Sequence, residues 1–325
     1  MRSKRRRFLQ SAATISAGMA FACDADAEEA AAQYVPAAAS RPVEPDKPLL
    51  LPKLKLGKWE ISRLIIGGNP FYGYSHFNRL FSTHMTEWAT PERVCEALRR
   101  AEHCGINTWQ FSHTARPLAD LKRHQEAGGK MQFIILSHRE MEEDPAVVKE
   151  LAKLGPIGIV HHGGSGERKR RAGKAGEIKD FLKLVRDAGV LAGLSTHDPE
   201  FLEQVQAESW EIDFFMTALF YLTRTAEDFK KLLGTKPLGE LYLPEDPPRM
   251  CAVIRKTPKP CLAYKVLAAG RVTDTPQQID QAFRFALDNI KPNDGMIIGM
   301  YPRYGDQIRE NAERVLRIAG AKASA

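Results

Sequence analysis

Apolar and polar positions along this chain follow two periods in alternation. Short apolar runs rich in Ile, Val, Leu and Phe recur at 64–68, 107–111, 132–137, 157–160, 190–195, 214–220, 261–266 and 295–300. Between them lie longer stretches with apolar residues at helical spacing. Helix starts are marked by a capping side chain followed by proline: Thr90-Pro91-Glu92, Asp144-Pro145, Asp198-Pro199-Glu200 and Thr275-Pro276. Glycine marks the stops, as in Cys104-Gly105, Leu154-Gly155 and Ala188-Gly189, each just ahead of an apolar run. Eight strand–helix units in series predict a parallel sheet covered by helices and closed into a (β/α)8 barrel. The barrel domain is expected over 50–325, a usual size for this fold.

Two connections are long. Residues 69–89, after the first barrel strand, carry Phe71, Tyr72, Tyr74, His76, Phe77, Phe81, His84 and Trp88. Such an aromatic loop suits either a lid over a ligand or packing on the barrel rim. Residues 221–248, after the sixth strand, hold one expected helix and a Pro-rich stretch.

Parallel barrels place chemistry at the C-terminal strand ends, and five of the nine histidines stand there. His113 follows the second run, His138 the third, His161 and His162 the fourth, and His197 the fifth. If His138, His161 and His197 converge, they could hold a divalent metal with open positions, or act without one as general acids and bases. His113 and Asp198 come next as candidates. Adjacent strand residues face opposite sides, so at most one of His161 and His162 is expected at the mouth, and His161 is the one chosen. Each ring could instead be a hydrogen-bonded structural residue. Lys265, mid-run in the seventh strand, is a Schiff-base nucleophile or charge clamp if inward, and a rim residue if it snorkels. Tyr301-Pro302-Arg303-Tyr304 offers a cation and two phenols to an anion at the last strand tip. Gly163-Gly164-Ser165-Gly166 resembles a phosphate loop only superficially.

Residues 1–22 stand apart from the fold. Lys4-Arg5-Arg6-Arg7-Phe8-Leu9-Gln10, an uncharged stretch and Ala20-Phe21-Ala22 match a twin-arginine signal peptide with its cleavage site. Export to the periplasm follows as an expectation. Cys23 directly after the site is placed like a lipoprotein cysteine, although Ala20 departs from the usual Leu. Residues 23–49 are rich in Ala, Pro and Glu and are expected to be a linker. The net charge is +7; taking the leader's five basic residues from 47 leaves 42 Lys+Arg against 40 Asp+Glu, about +2. No nucleic-acid partner is therefore expected, and membrane contact only through the export machinery or lipid on Cys23. The run Arg168-Lys169-Arg170-Arg171, with Lys174, is expected as a solvated loop before a helix, with an anionic-ligand site as the alternative. Five cysteines make no disulfide scaffold, although Cys251 and Cys261 could pair.

Several stretches carry a family resemblance. Ile61-Ser62-Arg63-Leu64 with Gly67-Gly68-Asn69-Pro70-Phe71, Gly105-Ile106-Asn107, Ala263-Tyr264-Lys265 with Leu267 to Arg271, and Ile297 to Met300 followed by Gln307 to Asn311 resemble the aldo-keto reductase family over 61–318. The resemblance implies an NADP(H)-dependent oxidoreductase barrel, with Gln307, Glu310 and Asn311 at the adenosine end and Ser195 at the nicotinamide. Its Asp, Tyr, Lys and His tetrad is mostly missing. Gln110 stands for the Asp, the Tyr would fall near Ala115, and Ser137 or His138 replaces the Lys, while His161 or His162 keeps the His. Met216 and Leu219 replace the nicotinamide-holding Gln and Tyr, and Gln307 replaces the usual arginine. Three functions therefore stand open: a histidine-dependent enzyme on a sugar-like hydroxyl or carbonyl compound, a divergent NADP(H) oxidoreductase, and a non-catalytic ligand-binding barrel.

Overall fold

The computed structural model describes residues 46–323. The leader, Cys23 and the linker up to residue 45 lie outside the described residues. The chain enters through an antiparallel hairpin, β1 (Lys53–Leu56) and β2 (Trp59–Ser62). Eight parallel strands follow: β3 (Leu64–Gly67), β4 (Thr108–Ser112), β5 (Gln132–Leu136), β6 (Gly158–His161), β7 (Leu191–Thr196), β8 (Phe214–Ala218), β9 (Cys261–Tyr264) and β10 (Gly295–Gly299). They pair in sequence order, and β10 returns to β3, so the sheet closes as a (β/α)8 barrel. The expected strands and fold class are thereby found.

Alternation sorts side chains into two cores. Ile65, Ile134, Val160, Phe214, Met216, Leu262 and Ile297 fill the lumen, while their strand neighbours pack outward against the helices. Phe214 occupies space left by two glycines: a Cβ on Gly158 or Gly193 would stand 2.7 Å from its ring. The hairpin adds Leu54, Leu56 and Ile61 to the lumen cluster. It sits at the N-terminal end of the barrel, where Asn293, ahead of β10, bonds Lys55 and Asn107, ahead of β4, accepts from Ser62. This hydrocarbon plug was not expected from the sequence.

The four predicted caps form. Thr90, Asp144, Asp198 and Thr275 accept from the amides of Arg93, Ala146, Glu200 and Gln278. Asp46 joins Arg100 and Arg309 by ion pairs, so residues 46–49 belong to the barrel rather than to a linker. The loop 69–89 is more ordered than a loop, with a 3-10 turn at Asn69–Tyr72 and a helix at Arg79–Trp88 capped by Asn78. Its His76 meets Glu240, from the long connection after β8, at 2.9 Å. The two long connections thus join across the C-terminal face.

Candidate active site

Strand parity decides which histidine reaches the mouth. Val160 points into the lumen and Ile159 into the helix layer, so His161 follows Ile159 outward. Its ring is buried edge-on against Phe181, with centroids 5.2 Å apart, and its Nε2 lies 3.8 Å from Glu142. Burial pulls its pKa down to about 4 despite Glu142, leaving it neutral at pH 7. His162 is the one at the mouth, where its Nδ1 accepts the Ser165 amide and caps the helix Gly163–Arg171. The choice of His161 over His162 is corrected accordingly.

The proposed metal triad fails with it. His138 is exposed ahead of the short helix Arg139–Glu143, and His161 faces away from the mouth. Among the described residues no group of three His, Cys, Asp or Glu side chains could hold a metal ion. His113 is buried beside β5, its amide donating to the Leu136 carbonyl and its Nδ1 without a partner.

What the fold assembles instead is a relay from carboxylate to imidazole to phenol. Tyr264 ends β9, with its hydroxyl 3.2 Å from His197 Nε2 and 3.0 Å from Ser195 Oγ. On the far side of the imidazole, His197 Nδ1 lies 3.4 Å from Glu167 Oε1. That is an ion-pair distance, with no hydrogen bond formed: Nδ1 and Glu167 Oε2 are both buried without hydrogen-bond partners. The carboxylate favours a proton on Nδ1, which leaves Nε2 to accept from the phenol. Glu167 is fully buried, and its Oε1 also accepts from Thr196 Oγ1 and the His197 amide. Burial pushes its pKa up, but His197 and these bonds hold it below the ordinary carboxylate value. Burial raises the Tyr264 phenol. Gly163 makes room for the imidazole, since a Cβ there would stand 3.2 Å from His197 Nδ1.

A second relay begins one residue later. Lys265 breaks β9 with a left-handed φ of 60°, which L residues rarely adopt, and Ala268 and Ala269 repeat this at 47° and 52°. Its Nζ reaches His76 Nε2 at 2.9 Å, and His76 Nδ1 meets Glu240 Oε1 at 2.9 Å. Asn69, at the tip of β3, lies 3.4 Å from the same imidazole. β9 and β3 flank β10, so the amine lies over the mouth between these tips, under both long connections. Arg271 donates to the His76 carbonyl, its guanidinium stacked on Phe77 and Tyr242. Burial pulls the Lys265 pKa down to about 8 against the attraction of Glu240.

The dinucleotide-gripping positions are occupied internally. Gln307 accepts the Tyr301 amide, Asn311 accepts from Arg314, and Ser195 is bonded to Tyr264. Glu310 is half exposed, while nearby Arg309 and Arg314 are neutralised by Asp46 and Asp280. The cations that a 2′-phosphate requires are already paired, so these residues do not fit an NADP(H) grip. The basic run lies in the last turn of the helix Gly163–Arg171 and not in a loop, and it is spent in part, Lys169 on Glu142 and Arg170 on Asp198. Gly163 to Gly166 form the first turn of a helix, and Tyr301 and Tyr304 bond His84. Cys251 and Cys261 are free and buried.

The sequence matches no family profile and no curated protein. Among solved structures the chain is similar to a truncated 3-deoxy-D-arabino-heptulosonate 7-phosphate synthase from Thermotoga maritima, at 13% identity and TM-score 0.50, over 85% of this chain and 93% of that one. It is also similar to the glycerol dehydrogenase AKR11B4 from Gluconobacter oxydans, at 13% identity and TM-score 0.45, over 81% and 94%. A Yersinia pestis dihydropteroate synthase matches at 9% identity and TM-score 0.47, over 83% and 98%. At 13% identity the likeness to the first of these shows the fold alone. The chain is a (β/α)8 barrel.

Proposed function

We propose that this barrel is an enzyme moving protons on a polar, sugar-like small molecule that carries hydroxyl and carbonyl groups. Tyr264 exchanges the proton with the bound molecule, His197 accepts it from the phenol and returns it, and Glu167 stabilises the charged imidazole and fixes its tautomer. The observation that carries this is the Tyr264–His197–Glu167 alignment at the strand ends, built around a fully buried carboxylate. Structural packing alone would not need a fully buried carboxylate set against a strand-end imidazole. The aldo-keto reductase resemblance supports a shared scaffold; the phenol missing from the family position near Ala115 is supplied here from β9. The twin-arginine pattern at Arg5-Arg6 supports action in the periplasm after export.

The test is solvent exchange. Purified protein in deuterium oxide should incorporate deuterium at the carbon beside the carbonyl of dihydroxyacetone or glyceraldehyde, followed by proton NMR. His197→Ala and Tyr264→Phe should each slow exchange by about 100-fold. Wild-type exchange no faster than buffer, or exchange in both variants as fast as in the wild type, would refute the assignment. Fractionation of cells expressing the full chain tests export, and Arg5→Lys with Arg6→Lys should retain the protein inside.

A further inference from the structure

We infer that Lys265 is a covalent anchor, its amine forming an imine with the carbonyl of a short polyhydroxylated aldehyde or ketone, with His76 as the proton carrier and Glu240 as the group that holds it. The inference rests on the proton-transfer reading of the neighbouring Tyr264 and narrows its substrate to carbonyl compounds.

Three observations converge on this amine. The order Glu240, His76, Lys265 is that of an activated nucleophile: the carboxylate accepts from Nδ1–H, and the amine stands over the imidazole, 2.9 Å from Nε2 and 3.4 Å from Nδ1. The groups facing the amine are His76, Glu240, Arg271 and Asn69, so the nearby carboxylate is engaged with the imidazole and Lys265 has no direct acidic partner. A lysine serving only as a structural ion pair would bond the carboxylate itself. Third, the left-handed backbone at Lys265 turns the side chain out of strand parity, toward the loop that crosses the mouth. Such strain costs on the order of 1–3 kcal/mol and persists where something else demands the geometry. The depressed pKa, about 8, keeps a usable fraction of the amine neutral near physiological pH.

The chemistry balances without a further reagent. His76 Nε2 takes one proton from the Lys265 ammonium, and the free amine adds its electron pair to the carbonyl carbon. A second proton passes from nitrogen to the new alkoxide, giving a carbinolamine. The proton held by His76 then goes to the departing hydroxyl, which leaves as water as the C=N bond forms. Ammonium and carbonyl have become protonated imine and water, and His76 is neutral again. The cationic imine makes the adjacent C–H more acidic, and the Tyr264 relay stands one residue away to handle that proton.

The full chain is incubated with dihydroxyacetone and sodium cyanoborohydride, digested, and mapped by mass spectrometry. A reduced adduct should concentrate on the peptide bearing Lys265, well above any surface lysine, and vanish in Lys265→Arg. His76→Asn tolerates the left-handed backbone of His76 (φ 58°) and keeps the amine, so its trapping should slow by about 100-fold. Adducts spread over surface lysines with none at Lys265 in the wild-type protein would overturn the inference, as would undiminished trapping in His76→Asn. The two readings fail separately. Absence of an adduct with deuterium exchange that still depends on Tyr264 overturns the imine alone. An adduct at Lys265 with exchange indifferent to Tyr264→Phe overturns only the acid–base assignment.

Discussion

Replacing Lys265 by Met removes a desolvated amine and is expected to stabilise the protein at neutral pH. The folded-state pKa is pulled from 10.5 to about 8, and each unit corresponds to about 1.4 kcal/mol, so keeping the amine charged in the native state costs about 3 kcal/mol below pH 8. Met fills a similar volume without charge but forfeits the 2.9 Å bond to His76, worth about 1 kcal/mol, leaving a net gain of about 2 kcal/mol. The sign with pH follows from linkage. Between pH 8 and 10.5 the unfolded chain binds one proton more than the native protein at this site, so wild-type stability rises through that window. The Met variant lacks this rise, and its advantage should shrink by about 1.4 kcal/mol per pH unit and be gone by about pH 10. Paired thermal melts of wild type and variant at pH 7, 8, 9 and 10 measure it, because titrations elsewhere cancel in the difference. For a barrel of this size the gap at pH 7 should be about 3–4 °C. A variant that melts lower than wild type at pH 7, or a gap that does not change with pH, would refute the reasoning.

Other consequences are equally direct. Glu167→Gln keeps the shape but removes the charge beside His197, and deuterium exchange should fall by about 100-fold. Since the Glu167 pKa lies below its ordinary 4.5, its contribution to stability is present above pH 4.5 and lost as pH falls through the lower folded value; acid titration of the Gln variant should show a flatter loss. Gly163→Ala puts a methyl 3.2 Å from His197 Nδ1 and the Ser195 carbonyl, so exchange should drop by about tenfold while urea denaturation shifts by less than about 1 kcal/mol. Arg224→Ala strands Asp246, which is 3% exposed, and should cost about 3–5 kcal/mol in urea denaturation.

The fold was legible because its signals are local. A capping Thr or Asp before proline and a glycine in left-handed conformation, as at Gly105, Gly155 and Gly189, act within a few residues, and each does in the structure what its type suggests. The run at 261–266 was read too long because nothing local announces that Lys265 turns left-handed. The hairpin 53–62 was missed because its apolar residues, Leu54, Leu56 and Ile61, are few and bury against strands far along the chain. The site was legible only in its location. His197 and Lys265 were singled out by standing at strand ends, but their partners lie 30 and 189 residues away in sequence. Glu167 sits in front of a basic run that masks it, and Tyr264 looks like an ordinary aromatic strand residue. A single acid in a helix's second turn beside a strand-end histidine was the one available hint. The error at His161 came from parity: where β6 stops determines which of two adjacent rings turns inward.

The greasy stopper formed by Leu54, Leu56 and Ile61 has a consequence for traffic. With the lumen filled and its lower end corked, whatever reaches the strand tips arrives and departs on the one face, beneath the junction of His76 and Glu240. Water expelled during any condensation there has no back exit. Anything bound at the strand tips therefore passes that overhead clasp on the way in and again on the way out.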